Sequence, residues 1–234
     1  MINLYENRLL KRISSKLFSI NPNVCYSQNG EDVIVNLLRE AKKIKNFNWL
    51  DIGANHPTKF SNTFLFYNKN HYGISIEPNP YLVSLHKKLR SKDKIIQAGI
   101  GVEPDVRRGT YFIMQHHELN TFSADEAQRM ESEGLSQIIR TMEVDLVPLN
   151  SFLTEHFKNK ELSFLNLDVE GLDTEILKVW DFSLCTPKII CVETVSFTND
   201  ASSSKNMDII NHLQSVGYKI FADTYINTIF YKED

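Results

Sequence analysis

Short apolar runs of strand length recur at 47–52, 72–77, 94–100, 107–114, 139–145, 162–168, 187–193, 217–222 and 226–232, most of them without polar alternation. Runs of this kind suit strands covered on both faces. Helical patterns fall between them at 29–44, 79–90, 123–133, 149–157, 172–180 and 203–215. The alternation predicts an α/β fold built on a doubly wound, mostly parallel sheet. The last two strands are separated only by a turn near Asp223-Thr224, too short for a crossover helix, so they are predicted to form an antiparallel C-terminal hairpin. At 234 residues with 42% hydrophobic content, the chain is expected to be one domain over 1–234, with residues 1–45 as an N-terminal helical cap segment.

The first of these strands runs into the stretch Phe47-Asn-Trp-Leu-Asp-Ile-Gly-Ala-Asn-His-Pro57: an apolar strand, an acid, one glycine and a polar turn. Such edges are where α/β sheets bind nucleoside-like ligands. A dinucleotide fingerprint needs glycine at the third and sixth positions counted from Gly53, and those positions hold Asn55 and Thr58. The turn therefore suits an adenosine without a phosphate cradle, which predicts S-adenosylmethionine as cofactor. The second strand ends in Glu77-Pro78-Asn79, where a carboxylate is placed to accept both hydrogen bonds of a ribose diol. The competing role for Asp51 and Glu77 is capping of helix N-termini. Two acids at the ends of successive strands, the first followed by glycine, favour the cofactor site.

Other parts of that site follow from position. Asn55, Asn62 and Thr63 offer amide and hydroxyl donors to the methionine carboxylate. Gly99-Ile100-Gly101, after the third strand, leaves room for a flat adenine ring. Gln28 is expected either to cover the cofactor or to make a polar contact within a packing helix. The predicted cofactor shell is Gln28, Asp51, Gly53, Ala54, Asn55, Asn62, Glu77, Pro78, Gly99, Ile100 and Asp168.

Composition removes other classes. The net charge is −3 and no basic block occurs, so nucleic acid is not an expected partner. Cys25, Cys185 and Cys191 are odd in number and lack zinc-like spacing, and are expected to be buried thiols in a reducing compartment. Met1 to Ile20 mixes charged residues among its apolar ones and offers no signal-peptide core, and no run approaches the roughly 18 apolar residues of a membrane span. A cytoplasmic location is the expectation. Leu9, Leu10, Ile13, Leu17 and Phe18 recur at helical spacing, as in a packing helix.

Several segments taken in order carry a further signal: Tyr26-Ser-Gln-Asn-Gly-Glu-Asp32; Asp51 to Pro57 followed by Ser61-Asn62-Thr63 and Phe66-Tyr67; Gly73-Ile-Ser-Ile-Glu-Pro-Asn79; Asp168-Val-Glu-Gly171; and Ile190-Cys-Val-Glu193. From about Tyr26 to the C-terminus the chain resembles the FkbM family of S-adenosylmethionine-dependent methyltransferases. The resemblance implies methylation of hydroxyl groups on sugars or natural products, with a small molecule or glycan as acceptor. The sheet with its antiparallel end matches the Rossmann-like architecture of class I methyltransferases. Two departures from the family pattern are Asn166 and Asn120, each where Ser is common, and the second bears on the acceptor pocket.

Methyl transfer to oxygen is an in-line displacement, so the acceptor must be held about 3 Å from the sulfonium methyl carbon. A sugar hydroxyl must also lose its proton as the bond forms, which calls for a base or a metal. Asp168 and Glu193 end the fourth and fifth strands of the sheet, facing the expected methyl position, with Glu170 two residues beyond Asp168. Converging carboxylates repel and raise at least one pKa, which suits a general base. Mg²⁺ is the alternative, and the sequence favours a protein base because only Asp168, Glu170 and Glu193 can be named as ligands. Against both stands a structural role, with Glu170 capping the helix at 172–180 and Asp168 only holding the cofactor's amino group. His116 and His117 are further base candidates, at most one of which can serve if both lie on a strand. The segment 107–122 falls where acceptor-binding additions occur, and Leu119 to Phe122 are expected to form part of the acceptor wall. A nicotinamide-dependent oxidoreductase is disfavoured by the missing glycines, and a non-catalytic binding module by the polar groups kept at the strand ends.

Overall fold

The computed structural model describes residues 24–195 and 204–233. Along the chain run α1 (Glu31–Ala41), β1 (Trp49–Ile52), α2 (Phe64–Asn68), β2 (Ile74–Ile76), α3 (Pro80–Leu89), β3 (Lys94–Ile96), β4 (Gly99–Gly101) and β5 (Arg108–Met114). A 3-10 turn (His117–Leu119) follows, then α4 (Ala124–Ser132), β6 (Ile138–Pro148), α5 (Leu149–Phe157), β7 (Phe164–Leu167), α6 (Asp173–Val179), β8 (Ile189–Glu193), α7 (Met207–Ser215), β9 (Tyr218–Asp223) and β10 (Asn227–Lys232).

The large sheet has the order β3-β2-β1-β7-β8-β10-β9. Its first five strands are parallel, and β10 is antiparallel to both β8 and β9. This is the doubly wound class I methyltransferase sheet with its antiparallel C-terminal hairpin. The order reverses between β1 and β7, and such a switch point opens a ligand crevice over the C-terminal strand ends. Here those ends are Gly53 and Asp168.

Side chains of β1 and β7 alternate between two buried layers. Leu50, Ile52, Leu165 and Leu167 pack with Leu153, Ile176 and Leu213 from α5, α6 and α7. Trp49 and Phe164 face the other way, against Val35 and Leu38 of α1 and Phe66 of α2. Burying each such side chain contributes about 1.5–3 kcal/mol. Asp51 and Asn166 lie on the second face and are buried there, so the sheet carries a polar patch between an apolar floor and the crevice. Helix starts are set locally: Asn79 accepts from the Tyr81 backbone N–H with Pro80 in the first turn of α3, and Ser123 and Asn206 cap α4 and α7.

The apolar run 94–100 is not one strand. β3 stays in the large sheet, whereas β4 pairs in parallel with β6 in a separate three-stranded sheet of order β4-β6-β5. The chain crosses between the sheets at Gln97-Ala98, a break that a continuous apolar pattern conceals. Gly99 is required beyond it, because a Cβ there would come within 2.5 Å of the Phe122 ring and 2.7 Å of Leu146. The runs at 107–114 and 139–145 are likewise strands of this small sheet, paired antiparallel. The helix predicted from 203 begins only at Met207. The predicted packing helix through Leu9 and Phe18 lies outside the described residues, as does most of the loop predicted at 201–205. Cys25 is exposed, against expectation: it precedes α1 at the surface, where its thiol donates to Asp32. Among the described residues no helix is long and apolar enough to cross a membrane.

Candidate active site

The turn after β1 is built around one glycine. Gly53 has φ +80°, and a Cβ on it would lie 1.7 Å from the Asp168 carbonyl oxygen, so only glycine lets β1 and β7 approach at the switch point. The backbone N–H groups of Gly53 and Ala54 donate to the Ile76 carbonyl. Two buried side chains from α3 and its C-terminal end then fix the rest of the turn. His86 Nε2 donates to the Asn55 carbonyl at 2.9 Å, and burial, with Arg90 nearby, pushes its pKa down to about 4, so the ring is neutral. Arg90 pairs with Asp93 at 2.6 Å and donates to the Pro57 carbonyl, Ser61 Oγ and Thr63 Oγ1.

Asp51 is satisfied from within. Its carboxylate accepts from Thr63 Oγ1 at 2.7 Å and Asn166 Nδ2 at 2.9 Å, and Asn62 Nδ2 donates to Asn166 Oδ1 at 2.8 Å. The acid caps no helix. It ties the loop carrying Asn62 and Thr63 to the ends of β1 and β7. Burial raises its pKa, opposed by the charge of Arg90 and these two hydrogen bonds.

Glu77 is buried at the end of β2 and also differs from a helix cap. Each oxygen accepts one backbone N–H at 2.8 Å, from Asn79 and Asn55 respectively, which leaves each a further acceptor position. Beside it is a narrow cavity of about 60 Å³. Gly53, Asn55, Ile76, Pro78, Gly99 and Ile100 line it together with Tyr111, Asn120 and Phe122. The small sheet thus supplies a wall that the sequence pattern did not reveal. Of the predicted acceptor wall only Leu119 borders the wider cleft. Asn120 and Phe122 face the smaller cavity, and Asn120 Oδ1 accepts the Met114 N–H at 2.8 Å.

The wider cleft, of about 610 Å³, adjoins the cavity at Gly53, Asn55, His117, Glu118, Asp168 and Glu170. Gln28, Asp51, Ala54 and Asn62 also line it, Gln28 from an exposed bend before α1 instead of a helix. His56, Lys59 and Phe60 border it as well and were not anticipated. Phe60 is 62% exposed with φ +51°, a conformation uncommon for a bulky residue. Asp168, Glu170 and Glu193 come together in the cleft, with one oxygen of each within 4.8 Å of the others. Burial pushes all three pKa values up; the charges of Asp173, Asp51 and Glu31 add to it for Asp168, and repulsion within the cluster adds to it for Glu170 and Glu193. Glu170 has φ +53° and its side chain does not cap α6; Asp173 accepts the Val169 N–H at that end.

His116 and His117 stand beyond the end of β5, the second of them in the 3-10 turn, so strand alternation does not separate them, and both border the cleft. His117 Nδ1 is 3.0 Å from Asn55 Oδ1, and an amide oxygen only accepts, so Nδ1 carries the hydrogen and Nε2 is directed elsewhere.

A class I sheet with acids ending four of its parallel strands or the turns beyond them is that of a methyltransferase. Residues 51–220 match the methyltransferase FkbM domain, and the chain belongs to that family of S-adenosylmethionine-dependent methyltransferases. No curated protein matches it. Similar solved structures include a provisionally named caffeoyl-CoA O-methyltransferase from Staphylococcus aureus, with 12% identity, 98% of this chain and 94% of that one covered, and a TM-score of 0.49. Magnesium protoporphyrin IX methyltransferase from Synechocystis PCC 6803 with bound S-adenosylhomocysteine gives 9% identity, 98% and 96% coverage and a TM-score of 0.46. Precorrin-6y C5,15-methyltransferase from Geobacter metallireducens GS-15 gives 13%, 94%, 96% and 0.45.

Proposed function

We propose that the protein transfers the methyl group of S-adenosylmethionine to a hydroxyl of a sugar, glycan or natural product. The observation that carries this reading is the junction of the two cavities: a narrow site lined by Glu77, Pro78, Gly99 and Ile100 meets, at Asp168 and Glu170, a wider cleft that Glu193 also lines. Glu77 takes the ribose diol through its remaining lone pairs, Pro78, Gly99 and Ile100 bracket the adenine, and Asp168 faces the amino group. Gly53, Ala54 and Asn55 shape the turn beneath the methionine part, while Asp51 and Asn62 hold its position through Thr63 and Asn166. Gln28 stands over the cleft. When bound, the sulfonium supplies the electrophilic methyl group; the chain's own task is to hold the acceptor oxygen in line with it. Asp168 and Glu193 promote loss of the acceptor's proton, Glu170 adds to their field, and His117 is a further proton acceptor at the junction. Phe60 offers an exposed ring face to a sugar or aromatic acceptor.

Glu77 makes cofactor binding depend on pH. Burial lifts its pKa to about 7, so below that pH the carboxyl is protonated in the ligand-free chain and has fewer lone pairs for a diol. Calorimetric titration with S-adenosylmethionine is expected to give one site per chain. Affinity should strengthen as pH rises through 7 and weaken by up to about tenfold per unit below it. Glu77→Gln should bind more weakly and lose this dependence. Equal affinity and an unchanged pH profile in that variant would rule out the ribose role.

A further inference from the structure

Buried carboxylates elsewhere in the described protein are matched by donors. Asp51 and Glu77 each accept two hydrogen bonds; Glu31 accepts from Thr224, Asn227 and the Asn29 N–H; Asp32 accepts from Ser27 and the Tyr26 N–H; Asp93 pairs with Arg90. Asp168, Glu170 and Glu193 break this pattern. Their carboxylates accept no hydrogen bond from any described residue, although Glu193 is only 8% exposed and turned into the cluster. Arg129, whose charge reaches Glu170, is already bound by Glu126 and Glu133. Three carboxylates gathered without donors repel one another when all are ionised, so these groups call for protons or for a cation. The ammonium and sulfonium of the cofactor bring two positive charges, and its own carboxylate offsets one of them, against three carboxylates.

We propose that Asp168, Glu170 and Glu193 form a site for one divalent cation of the Mg²⁺ or Mn²⁺ type. Both ions prefer carboxylate oxygens, and the remaining coordination positions open to the cleft, where water and an acceptor hydroxyl can enter. The site's use in the reaction rests on the methyl-transfer reading above. A hydroxyl bound to the cation is more acidic, its proton passes to water in the open cleft, and its oxygen attacks the methyl carbon. The C–O bond forms as the C–S bond breaks, the electron pair going to sulfur to leave S-adenosylhomocysteine.

The test is Mn²⁺ binding to the full chain, followed by electron paramagnetic resonance without cofactor or acceptor. One bound Mn²⁺ per chain is expected. Glu170→Gln and Glu193→Gln should each weaken it by tenfold or more, and Glu133→Gln, at an exposed ion pair, should leave it unchanged. Because the Glu170→Gln/Glu193→Gln double variant removes two of the three repelling charges, it should fold and melt above the wild type in EDTA, and Mg²⁺ should no longer raise its melting temperature. No Mn²⁺ bound at millimolar concentration, or binding unchanged in the double variant, overturns the site. S-adenosylmethionine is titrated separately in EDTA: if it binds while Mn²⁺ does not, only the cation site falls; if Mn²⁺ binds and S-adenosylmethionine does not, the cation site stands and the transferase reading falls.

Discussion

Asp168→Asn and Glu193→Gln should each lower turnover on the order of 10²-fold or more, with a much smaller change in affinity for S-adenosylmethionine. Both replacements keep the shape of the side chain and remove the negative charge that promotes loss of the acceptor's proton, as base or as cation ligand. The charge matters here because the cleft gathers both groups with Glu170, one oxygen of each within 4.8 Å of the others, and electrostatic effects are strong at such separations. Steady-state kinetics with a hydroxyl acceptor, beside cofactor titrations, separates the two effects. Wild-type turnover in both variants would remove the carboxylates from the chemistry and leave the histidines at the junction.

Gly53→Ala should be the most damaging single methyl group in the protein. The residue sits at φ +80°, where L side chains are strained, and the added Cβ would lie 1.7 Å from a backbone oxygen of Asp168 that has no rotamer to escape into. Either β1 and β7 separate or the turn abandons its conformation. The expected cost is about 3 kcal/mol or more in stability, from strain and overpacking together. Since the same turn carries Asn55 and borders both cavities, binding of the cofactor should be lost along with it. Gly134→Ala is the control: its φ is +70° but nothing lies within 4 Å of its Cβ, so only the strain term applies and the cofactor site is untouched. Chemical denaturation of the two variants measures the difference, and equal losses would show that the β1–β7 contact is not what demands glycine.

Much of the large sheet was legible because its central strands β1, β7 and β8 are fully buried and therefore read as short apolar runs. The acids that end them, Asp51, Glu77, Asp168 and Glu193, stand out against that background, which is why the carboxylate cluster could be proposed from spacing alone. The small sheet was harder. Residues 94–101 keep one apolar character while passing from one sheet to another, and the reason Gly99 is glycine is a ring 23 positions away at Phe122. Arg90 and His86 were invisible for the same reason. Their roles depend on partners about 30 residues distant in sequence, Pro57, Thr63 and Asn55, and no local period encodes such contacts. Cys25 was misjudged because a thiol's burial follows from where its segment ends up, not from its type. Phe60 carries no signal in the sequence either; an exposed aromatic in a left-handed turn resembles any other loop phenylalanine until the cleft beside it is seen.

Transfer of labelled methyl from S-adenosylmethionine to a panel of glycosides and phenolic natural products, with the products examined by NMR, tests the central claim most directly. The expected result is stoichiometric S-adenosylhomocysteine and a new O-methyl ether on one hydroxyl, abolished by the combination of Asp168→Asn and Glu193→Gln. Label found on carbon or nitrogen instead, or no transfer to any hydroxyl by a chain that binds the cofactor, would contradict it.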